Sequence, residues 1–512
     1  MSFSRVYAAQ PHLLDGKIVT VEIDITRSSL NAFTVVGLPD KAVDEAKDRV
    51  SSALKNCGYE NPKTKSHKVV ISFSPADLKK EGAYFDVAIS IAYLLSLGEL
   101  NFNPEKKVFL GELSLNGEIK PLKGILPLVQ KAKSEGFEEI YVPKENAKEA
   151  ALVPGIIVYG TDNLKQLIGH LKEESEYKIT PQVNTEIRSE KEIKVFDIGD
   201  IKGQETAKRG LEIAAAGGHN IAMWGPPGTG KTMLAKAFTS LLPMLDIEES
   251  LEVTGIHSIA GSLNETIIQK PPLRNPHHTA SYVSLIGGGA NPKPGEVTLA
   301  HRGVLFLDEF PEFDKRVLES LRQPLEDKIV TISRAKGSAT FPSNFILVAA
   351  MNPCPCGNLG TKGKVCSCRP ADLARYKRKL SGPIMDRVDI WVQVAEVDYD
   401  KLASNEKSGD DSKTVLERIN KARKMAVERF RSAGKKIKKN SDMSAKEINE
   451  FVILNESDKS LLNESAKKLG LSGRAYHRVM KLARTIADLD DSESVKKEHI
   501  LEALQYRPKI NY

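Results

Sequence analysis

A phosphate-binding loop constrains this chain more than any other feature. Residues 225–232 fit the pattern G-x-x-x-x-G-K-[ST] and follow the apolar run 221–223. In such a loop glycines turn backbone N–H groups toward phosphates, the lysine offers a cation to the β/γ oxygens, and the hydroxyl holds Mg²⁺. The predicted nucleotide-binding residues are Gly225, Pro226, Pro227, Gly228, Thr229, Gly230, Lys231 and Thr232. The pattern predicts an α/β core with a helix from about Met233.

A second motif completes the site downstream. Residues 304–307 are apolar and are followed by Asp308 and Glu309. Four apolar residues in a row indicate a buried parallel strand, and ligands bind at the carboxyl ends of such strands. We expect Asp308 to hold Mg²⁺ together with Thr232, and Glu309 to polarise the attacking water. The alternative is a buried strand that ends in a solvated acidic turn.

Length and charge limit the class of protein. With 512 residues, and about 150 per domain, roughly three domains are expected. The net charge of +7 excludes a mostly basic surface but permits a local patch for an anionic polymer. No apolar run approaches the roughly 20 residues that span a bilayer, and no secretory signal opens the chain. A cytoplasmic protein without membrane partners is therefore expected.

Composition and periodicity divide the chain. Residues 18–25 alternate like a strand and residues 40–57 read as a helix, which indicates an α/β first domain. Spacing after residue 413 is mainly helical. The expected parts are an α/β domain at 1–172, a polar linker at 173–195, a nucleotide-binding core at 196–400 and a helical domain at 401–512.

The middle of the chain resembles an AAA+ ATPase, on the two nucleotide motifs together with 200–204 and 349–353. Further strings resemble the magnesium-chelatase-like branch called the YifB/ComM family. They are residues 37–40, 274–281, 294–301, 321–326, 352–357 and 472–478. The resemblance covers essentially the whole chain. It implies a central AAA+ domain, a C-terminal helical lid, and a ring-forming, hexameric ATPase that uses ATP and Mg²⁺. It also implies single-stranded or branched DNA as partner, with helicase or branch-migration activity in recombination or natural transformation.

The resemblance assigns three further residues. Asn352 matches a polar sensor that orients the hydrolytic water, Arg387 an arginine finger that reaches a neighbouring subunit's γ-phosphate, and Arg474 a sensor arginine of the lid. Fixed cations stabilise the charge that phosphoryl transfer spreads over three oxygens. A salt bridge of Arg387 with Asp386 or Asp389 is the alternative. Reserve candidates for the finger are Arg334, Arg375 and Arg378.

Residues 81–88 and 109–119 resemble a Lon-protease-type domain. On that resemblance the position of the catalytic serine falls on Tyr84 and that of the lysine on Leu126, and Lys123 would have to be displaced to replace it. Tyrosine is a poor acyl-forming nucleophile. A non-proteolytic platform for assembly or DNA contact is therefore expected.

Four of the five cysteines, Cys354, Cys356, Cys366 and Cys368, fall within residues 354–368. Two C-x-C pairs joined by a glycine-containing loop can gather four thiolates around one tetrahedral ion, which predicts a structural Zn²⁺. Reduced thiols without metal are the alternative. Cys57 is expected to be an ordinary residue at a helix end.

Two segments are candidates for contact with nucleic acid. Residues 421–439 are predicted to be helical and carry nine Lys or Arg side chains against Glu428. Such density suits phosphates, although a solvated helix fits equally well. The insertion with Arg274, His277, His278 and the 287–289 glycines can instead face the pore of a ring, or its histidines can hydrogen-bond within their own loop.

Three functions compete on these observations: a DNA motor, a chelatase-type or protein-remodelling ATPase without DNA, and an ATP-dependent protease. A chelatase motor needs a porphyrin-binding partner chain, and Tyr84 and Leu126 count against proteolysis. The DNA motor is the leading hypothesis.

Overall fold

The computed structural model describes residues 2–28, 31–63, 67–185, 196–289, 292–334, 337–360, 363–379, 382–397 and 409–508. The strands, in chain order, are β1 (Ser2–His12), β2 (Asp15–Arg27), β3 (Ala32–Val36), β4 (His67–Ser74), β5 (Lys107–Phe109), β6 (Glu112–Leu113), β7 (Ile119–Lys120), β8 (Glu139–Pro143), β9 (Ile157–Thr161), β10 (Ile221–Trp224), β11 (Leu273–Arg274), β12 (Gly287–Gly288), β13 (Lys293–Pro294), β14 (Val304–Leu307), β15 (Ile329–Arg334), β16 (Gly337–Pro342), β17 (Ile346–Met351) and β18 (Ile390–Gln393).

The helices, in chain order, are α1 (Lys41–Asn56), α2 (Asp86–Leu97), α3 (Ile125–Ser134), α4 (Ala147–Ala150), α5 (Leu164–Leu171), α6 (Glu205–Gly217), α7 (Lys231–Phe238), α8 (Ile247–Ala260), α9 (Tyr282–Ile286), α10 (Glu296–Leu299), α11 (Lys315–Ser320), α12 (Arg322–Asp327), α13 (Pro370–Lys379), α14 (Gly382–Met385), α15 (Ser412–Ser432), α16 (Ala445–Phe451), α17 (Glu456–Lys468), α18 (Gly473–Leu489) and α19 (Lys497–Gln505). None of the helices in the described part of the chain combines the length and apolar character that a bilayer-spanning helix needs.

The chain forms two compact units, and the first comprises residues 1–189 and 247–268. Its sheet has the order β3-β4-β2-β1-β5-β8-β9. Strands β1, β2 and β4 pair antiparallel, whereas β5, β8 and β9 continue the sheet in parallel. Along β2 every second side chain from Val19 to Ile25 is buried, as a strand with one face on a core requires. The predicted α/β character of this part is confirmed.

Two segments differ from the predicted boundaries. Residues 247–268 fall inside the expected core 196–400, yet they pack with the first unit because Leu251 and Ile267 lie against its apolar core. Residues 173–185 of the expected linker lie on the first unit as well. There the backbone N–H of Gln182 donates to Val158 O at 2.8 Å, and that of Thr185 donates to Ala151 O at 3.0 Å. The rest of that linker, 186–195, lies outside the described residues.

The second unit comprises residues 190–246 and 269–512 and is built on a parallel sheet in the order β11-β14-β17-β10-β18. Strands β14 and β17 are buried along their whole length, as the apolar runs predicted. Because the strands run parallel, the carboxyl ends of β10, β14 and β17 meet at one edge. Helices of the 409–508 region pack on this unit, with Val415, Ile419 and Phe430 in its core, so the predicted C-terminal helices are confirmed.

Candidate nucleotide-binding site

The phosphate loop joins β10 to α7, and its backbone is packed on one side and open on the other. A Cβ atom added to Gly225 would lie 2.0 Å from the carbonyl oxygen of Val394, so this position accepts glycine alone. Gly228 and Gly230 have φ angles of +78° and +91°, and no atom lies within 4 Å of the place a Cβ would take. The loop therefore leaves room for a ligand over its glycines. Helix α7 begins at Lys231, two residues before the predicted start.

Lys231 holds a buried ammonium group inside this loop. Its Nζ donates to the carbonyl oxygens of Gly225 and Pro226, each at 2.7 Å, and to Asn352 Oδ1 at 3.2 Å. Burial lowers the pKa of Lys231, while the charge of Asp308 acts in the opposite direction. Anionic phosphates would compete with the loop carbonyls for these N–H donors.

The two residues predicted to hold Mg²⁺ are in contact. Thr232 lies in the first turn of α7, Asp308 follows β14, and the Thr232 hydroxyl donates to Asp308 Oδ2 at 2.9 Å. The other oxygen, Asp308 Oδ1, accepts from the backbone N–H of Glu309 at 2.9 Å. Hydroxyl and carboxylate oxygens are ligands that Mg²⁺ prefers. These neighbours and the open glycine loop fit a magnesium nucleotide.

Glu309 has a partner that the sequence did not reveal. Its Oε2 lies 3.0 Å from His278 Nδ1, and its backbone has a φ of +51°, a region that residues other than glycine adopt uncommonly. His278 follows β11, which pairs in parallel with β14, so both side chains leave the same edge of the sheet. His277 instead bonds within its loop, with Nδ1 2.9 Å from Thr279 Oγ1. The expectation of hydrogen bonding within the loop thus describes His277 but misses the role of His278.

Asn352 follows β17 and lies beside the phosphate loop. Its side-chain oxygen accepts from Lys231, and its backbone oxygen accepts from the Tyr376 hydroxyl at 2.8 Å. Tyr376 belongs to α13, and burial raises the pKa of its phenol, so the hydroxyl stays a donor. The predicted sensor residue is thus held from both sides at the edge of the sheet.

The two predicted arginines converge on one carboxylate. Arg387 is buried, with 3% of its surface exposed, and its guanidinium lies 2.5 Å from Glu326 Oε1. Arg474 lies at the start of α18, is 66% exposed in its side chain, and approaches the same oxygen at 3.6 Å. The pKa of Glu326 is lowered, first by the hydrogen bond from Arg387 and then by the charges around it. The ion pair of Arg387 is therefore with Glu326, a residue the sequence did not single out.

Two of the reserve candidates for the arginine finger, Arg375 and Arg378, make contacts within α13. Arg375 pairs with Asp372 at 2.7 Å on α13, and Arg378 Nε donates to the carbonyl oxygen of Ala374 at 3.2 Å. The side chain of Arg334 lies outside the described residues.

The four clustered cysteines come together in space. The sulfur of Cys354 lies 3.4 Å from that of Cys356 and 3.8 Å from that of Cys366, and the last two are 3.6 Å apart. The Cys368 sulfur accepts from the backbone N–H of Cys356 at 3.4 Å, and the four sulfurs all lie within 4.8 Å of one another. This cluster can hold a metal ion. Thr361 and Lys362, between the two pairs, lie outside the described residues.

Backbone N–H groups favour the thiolate form of Cys356, whereas burial and the neighbouring thiols raise the pKa of Cys366 and Cys368. The N–H groups of Asn358 and Ser367 lower the pKa of Cys356 to about 5, and that of Leu359 donates to the Cys354 sulfur at 3.3 Å. Thiolates are the form in which cysteine binds metals. Cys57 stands apart at the end of α1, as expected.

The basic segment 421–439 is partly neutralised within the chain. The sequence predicted a helix over residues 421–439, but α15 ends at Ser432, so residues 433–439 do not continue it. Several of its cations are paired: Lys421 with Asp491, Arg429 with Asp488, Lys435 with Glu450 and Lys438 with Asp246. Arg431 and Lys436 are exposed and have no ion-pair partner within the described ranges. The surface that this segment offers to an anionic polymer is thus smaller than its composition indicated.

In the insertion, Arg274 is also engaged. Its guanidinium makes a bidentate pair with Glu296, at 2.6 and 2.9 Å, which fixes β11 to α10. Because Arg274 is held in this pair, it does not support a pore-facing role of the insertion.

In the first unit, the two positions that correspond to a protease dyad do not form one. The Tyr84 hydroxyl donates to Lys123 O at 3.2 Å, and burial raises its pKa to about 12. Leu126 is fully buried, and its backbone N–H donates to Glu149 Oε1 at 3.0 Å. A protonated phenol and an aliphatic side chain supply neither nucleophile nor base.

Three protein-family models together match most of the chain. The model described as magnesium chelatase, subunit ChlI, matches residues 197–402, that of subunit ChlI of Mg-chelatase matches 21–146, and that of the ChlI C-terminal part matches 409–507. The matches span both structural units and include every residue of the nucleotide site described above.

Individual relatives extend over the full length. The chain is 40% identical over 518 residues to competence protein ComM of Haemophilus influenzae, covering 100% of this chain and 98% of that protein. It is 39% identical to the uncharacterised protein YifB of Escherichia coli, covering 99% and 97%. A more distant match, 23% identical over 56% of this chain and 32% of the other, is the DNA replication licensing factor mcm-6 of Caenorhabditis briggsae. The chain therefore belongs to the YifB/ComM family of magnesium-chelatase-like AAA+ proteins.

Proposed function

We propose that the protein hydrolyses ATP at the edge of the parallel sheet and uses that energy to remodel DNA. The observation that carries the first half is the meeting of Lys231, the Thr232–Asp308 pair, Glu309 and Asn352 at the ends of three adjacent strands. Phosphoryl transfer depends on positioning and on fixed charge, and this edge supplies both.

Each residue has a separate task in this proposal. The backbone of the phosphate loop and Lys231 bind and orient the phosphates, and Thr232 with Asp308 would hold Mg²⁺, which neutralises charge on the phosphate oxygens when bound. Glu309 accepts a hydrogen bond from the attacking water and orients it. Asn352 fixes that water from the neighbouring strand.

Two arginines complete the pocket: Arg387 comes from a neighbouring copy, and Arg474 comes from the lid of the same or of an adjacent copy. We assign Arg387 to the finger and Arg474 to the sensor of the lid, as the family resemblance implies. In the isolated chain both guanidinium groups face the single carboxylate of Glu326, so the proposal requires that assembly frees them from it. A ring, expected to be hexameric, follows from residues supplied in trans.

The printed names of two relatives support DNA as the substrate. A full-length relative is named a competence protein, and a distant one a DNA replication licensing factor. Helicase or branch-migration activity on single-stranded or branched DNA in recombination or natural transformation is the specific form we propose. Arg431 and Lys436 are candidates for contact with phosphates.

The first unit, in this proposal, has a Lon-protease-type fold without protease activity and serves as a platform for assembly or DNA contact. Tyr84 and Leu126 support the absence of cleavage. ATP supply and reduced thiols are consistent with a cytoplasmic protein.

For the four cysteines we propose a structural Zn²⁺. In a tetrahedral site with Zn–S bonds of about 2.3 Å, neighbouring sulfurs lie about 3.8 Å apart, whereas a disulfide joins them at about 2 Å. The three distances among Cys354, Cys356 and Cys366, at 3.4, 3.6 and 3.8 Å, are close to such an edge, and the Cys368 sulfur lies within 4.8 Å of the other three. An all-thiolate set selects zinc over Mg²⁺ or Ca²⁺.

A second candidate is a chelatase-type or protein-remodelling ATPase without DNA, favoured by family models that carry the chelatase name. One assay separates the two. The full chain is incubated with ATP and with single-stranded, branched or linear duplex DNA, and turnover, DNA binding and strand separation are measured. A DNA motor binds DNA and is stimulated by it, and Glu309→Gln abolishes strand separation. Turnover that ignores DNA, without binding, would overturn the DNA half of the proposal and leave the ATPase half intact.

A further inference from the structure

The segment that carries the four cysteines, residues 354–368, begins two residues after the sensor Asn352 and touches the phosphate loop directly. Gly357 makes this contact, with a φ of +80°. A Cβ added there would lie 2.6 Å from Pro227 Cδ and 3.0 Å from its Cγ. The backbone of Gly357 therefore packs on the Pro227 ring as closely as a residue without a side chain allows.

The residues on both sides of this segment are tied to the same residue of the nucleotide site, Asn352. At its start, Asn352 accepts a hydrogen bond from Lys231 at 3.2 Å. After its end comes α13, and from there the Tyr376 hydroxyl returns to the backbone oxygen of Asn352 at 2.8 Å. Cys354 is fully buried between these anchors.

The contact at Gly357 is shaped by the cysteine turn itself. Its backbone N–H donates to the carbonyl oxygen of Cys354 at 3.0 Å, and Cys356 precedes it directly. Cys354 and Cys356 thus belong to the turn whose last residue, Gly357, packs on Pro227. An ion bound by all four cysteines would fix residues 366–368 to this turn and prevent the turn from moving away from the phosphate loop.

We propose that the metal-bound cysteine segment buttresses the phosphate loop, so that metal occupancy sets the affinity of the site for nucleotide. This inference rests on the proposed zinc site. With metal, Pro227 is held in place and the loop is preorganised for phosphates. Without metal, the loop must be ordered by the nucleotide, which weakens binding.

The experiment measures zinc content and nucleotide affinity separately on the full chain. Zinc is counted by plasma mass spectrometry, and the Kd of ADP with Mg²⁺ is measured by calorimetry. The wild type is compared with Cys366→Ser/Cys368→Ser, with Gly357→Ala and with Cys57→Ser, which removes a thiol outside the cluster. The double serine variant should lose zinc and bind ADP about tenfold more weakly, which corresponds to about 1.4 kcal/mol. Gly357→Ala should keep zinc and also bind more weakly, whereas Cys57→Ser should change neither.

Reversible removal of metal covers the case in which the serine variant fails to fold. Wild-type protein treated with a chelator should bind ADP about tenfold more weakly, and added Zn²⁺ should restore the affinity. Zinc loss with an unchanged Kd would overturn the buttress while leaving the zinc site and the ATPase intact. Wild-type protein that holds no zinc, even after incubation with it, would overturn the zinc site and the buttress together.

Discussion

Lys231 places a positive charge in a buried position of the nucleotide site, and we predict that its protonation controls phosphate binding. Burial lowers the pKa of Lys231, so its charge is lost at a lower pH than that of an exposed lysine. Phosphates favour the charged form. The affinity for ADP should therefore be complete below the lowered pKa and fall as pH rises through it. Calorimetry between pH 7 and 10 measures this fall.

Lys231→Arg provides the matched control, because a guanidinium stays charged over that range. The affinity of this variant for ADP can differ from that of the wild type at pH 7. It should not fall as the pH rises to 10. A wild-type affinity that is constant up to pH 10 would contradict the role given to the buried ammonium group.

His278 is predicted to position Glu309 for its work on water. With Nδ1 3.0 Å from Glu309 Oε2, the imidazole limits where the carboxylate can point. His278→Ala should lower kcat about tenfold and leave the Kd of ADP within about twofold, because general-base contributions lie at about 10²–10⁴ and only part of one is lost. His277→Ala is the control, since His277 bonds to Thr279. Equal effects of the two changes would refute the assignment.

The phosphate loop, Asp308, Glu309 and Asn352 could be predicted as a site because their motifs carry their spacing along the chain. The pairing of Glu309 with His278 could not, since it joins residues from two strands whose adjacency the sequence does not state. The same holds for Glu326, whose two arginines come from α18 and from the turn after α14. Ion-pair partners that are distant along the chain follow from the fold and not from a motif.

Among the structural elements, β18 and α18 are joined by a buried ion pair. Asp389 precedes β18 and pairs with Arg478 of α18, and His219 Nδ1 lies 3.5 Å from it. Burial alone would raise the pKa of Asp389, but Arg478 and His219 lower it below its usual range. This pair fixes the C-terminal helices to the parallel sheet.

Asp389→Asn should lower the free energy of unfolding of the second unit by about 2 kcal/mol at pH 7, since it removes the charge-assisted hydrogen bond between buried Asp389 and partly exposed Arg478. Because the pKa of Asp389 is depressed, its contribution is present above the ordinary pKa of about 4 and declines as pH falls further. The difference between wild type and variant should therefore shrink below about pH 4. Denaturant titrations from pH 7 to 3 measure it, and a difference that grows in acid would contradict the sign.

Helices and strands with strong periodicity could be predicted from the sequence. The unit with which each of them packs was harder to predict. The strand at 18–25, the helix at 40–57 and the apolar strands of the nucleotide core all appear where the pattern indicated. Helix α8 packs with the first unit although its sequence neighbours belong to the second, because Leu251 of α8 and Ile267 after it lie against the apolar core of the first unit. The basic segment shows the same limit, since composition counts charges but not the carboxylates that pair with them.

On the scale of the whole molecule, the proposed mechanism requires that copies of the chain act together. Chains with Lys231→Ala cannot bind phosphates but keep Arg387, and chains with Arg387→Ala have the opposite defect. Either variant alone should turn over ATP at less than about a tenth of the wild-type rate, since a finger in trans contributes about 10³–10⁵ in comparable enzymes. An equimolar mixture should recover turnover above the sum of the two. No recovery, although Arg387→Ala still binds ADP, would show that Arg387 does not serve a neighbour.

Whether a neighbouring copy completes the nucleotide pocket is decided by the ATP turnover per chain of the wild-type protein, measured as a function of its concentration. If the pocket is completed by a neighbouring copy, turnover per chain should fall steeply as dilution separates the copies, and it should do so at the concentration where light scattering records dissociation. A turnover per chain that stays constant through dissociation to the monomer would contradict the claim.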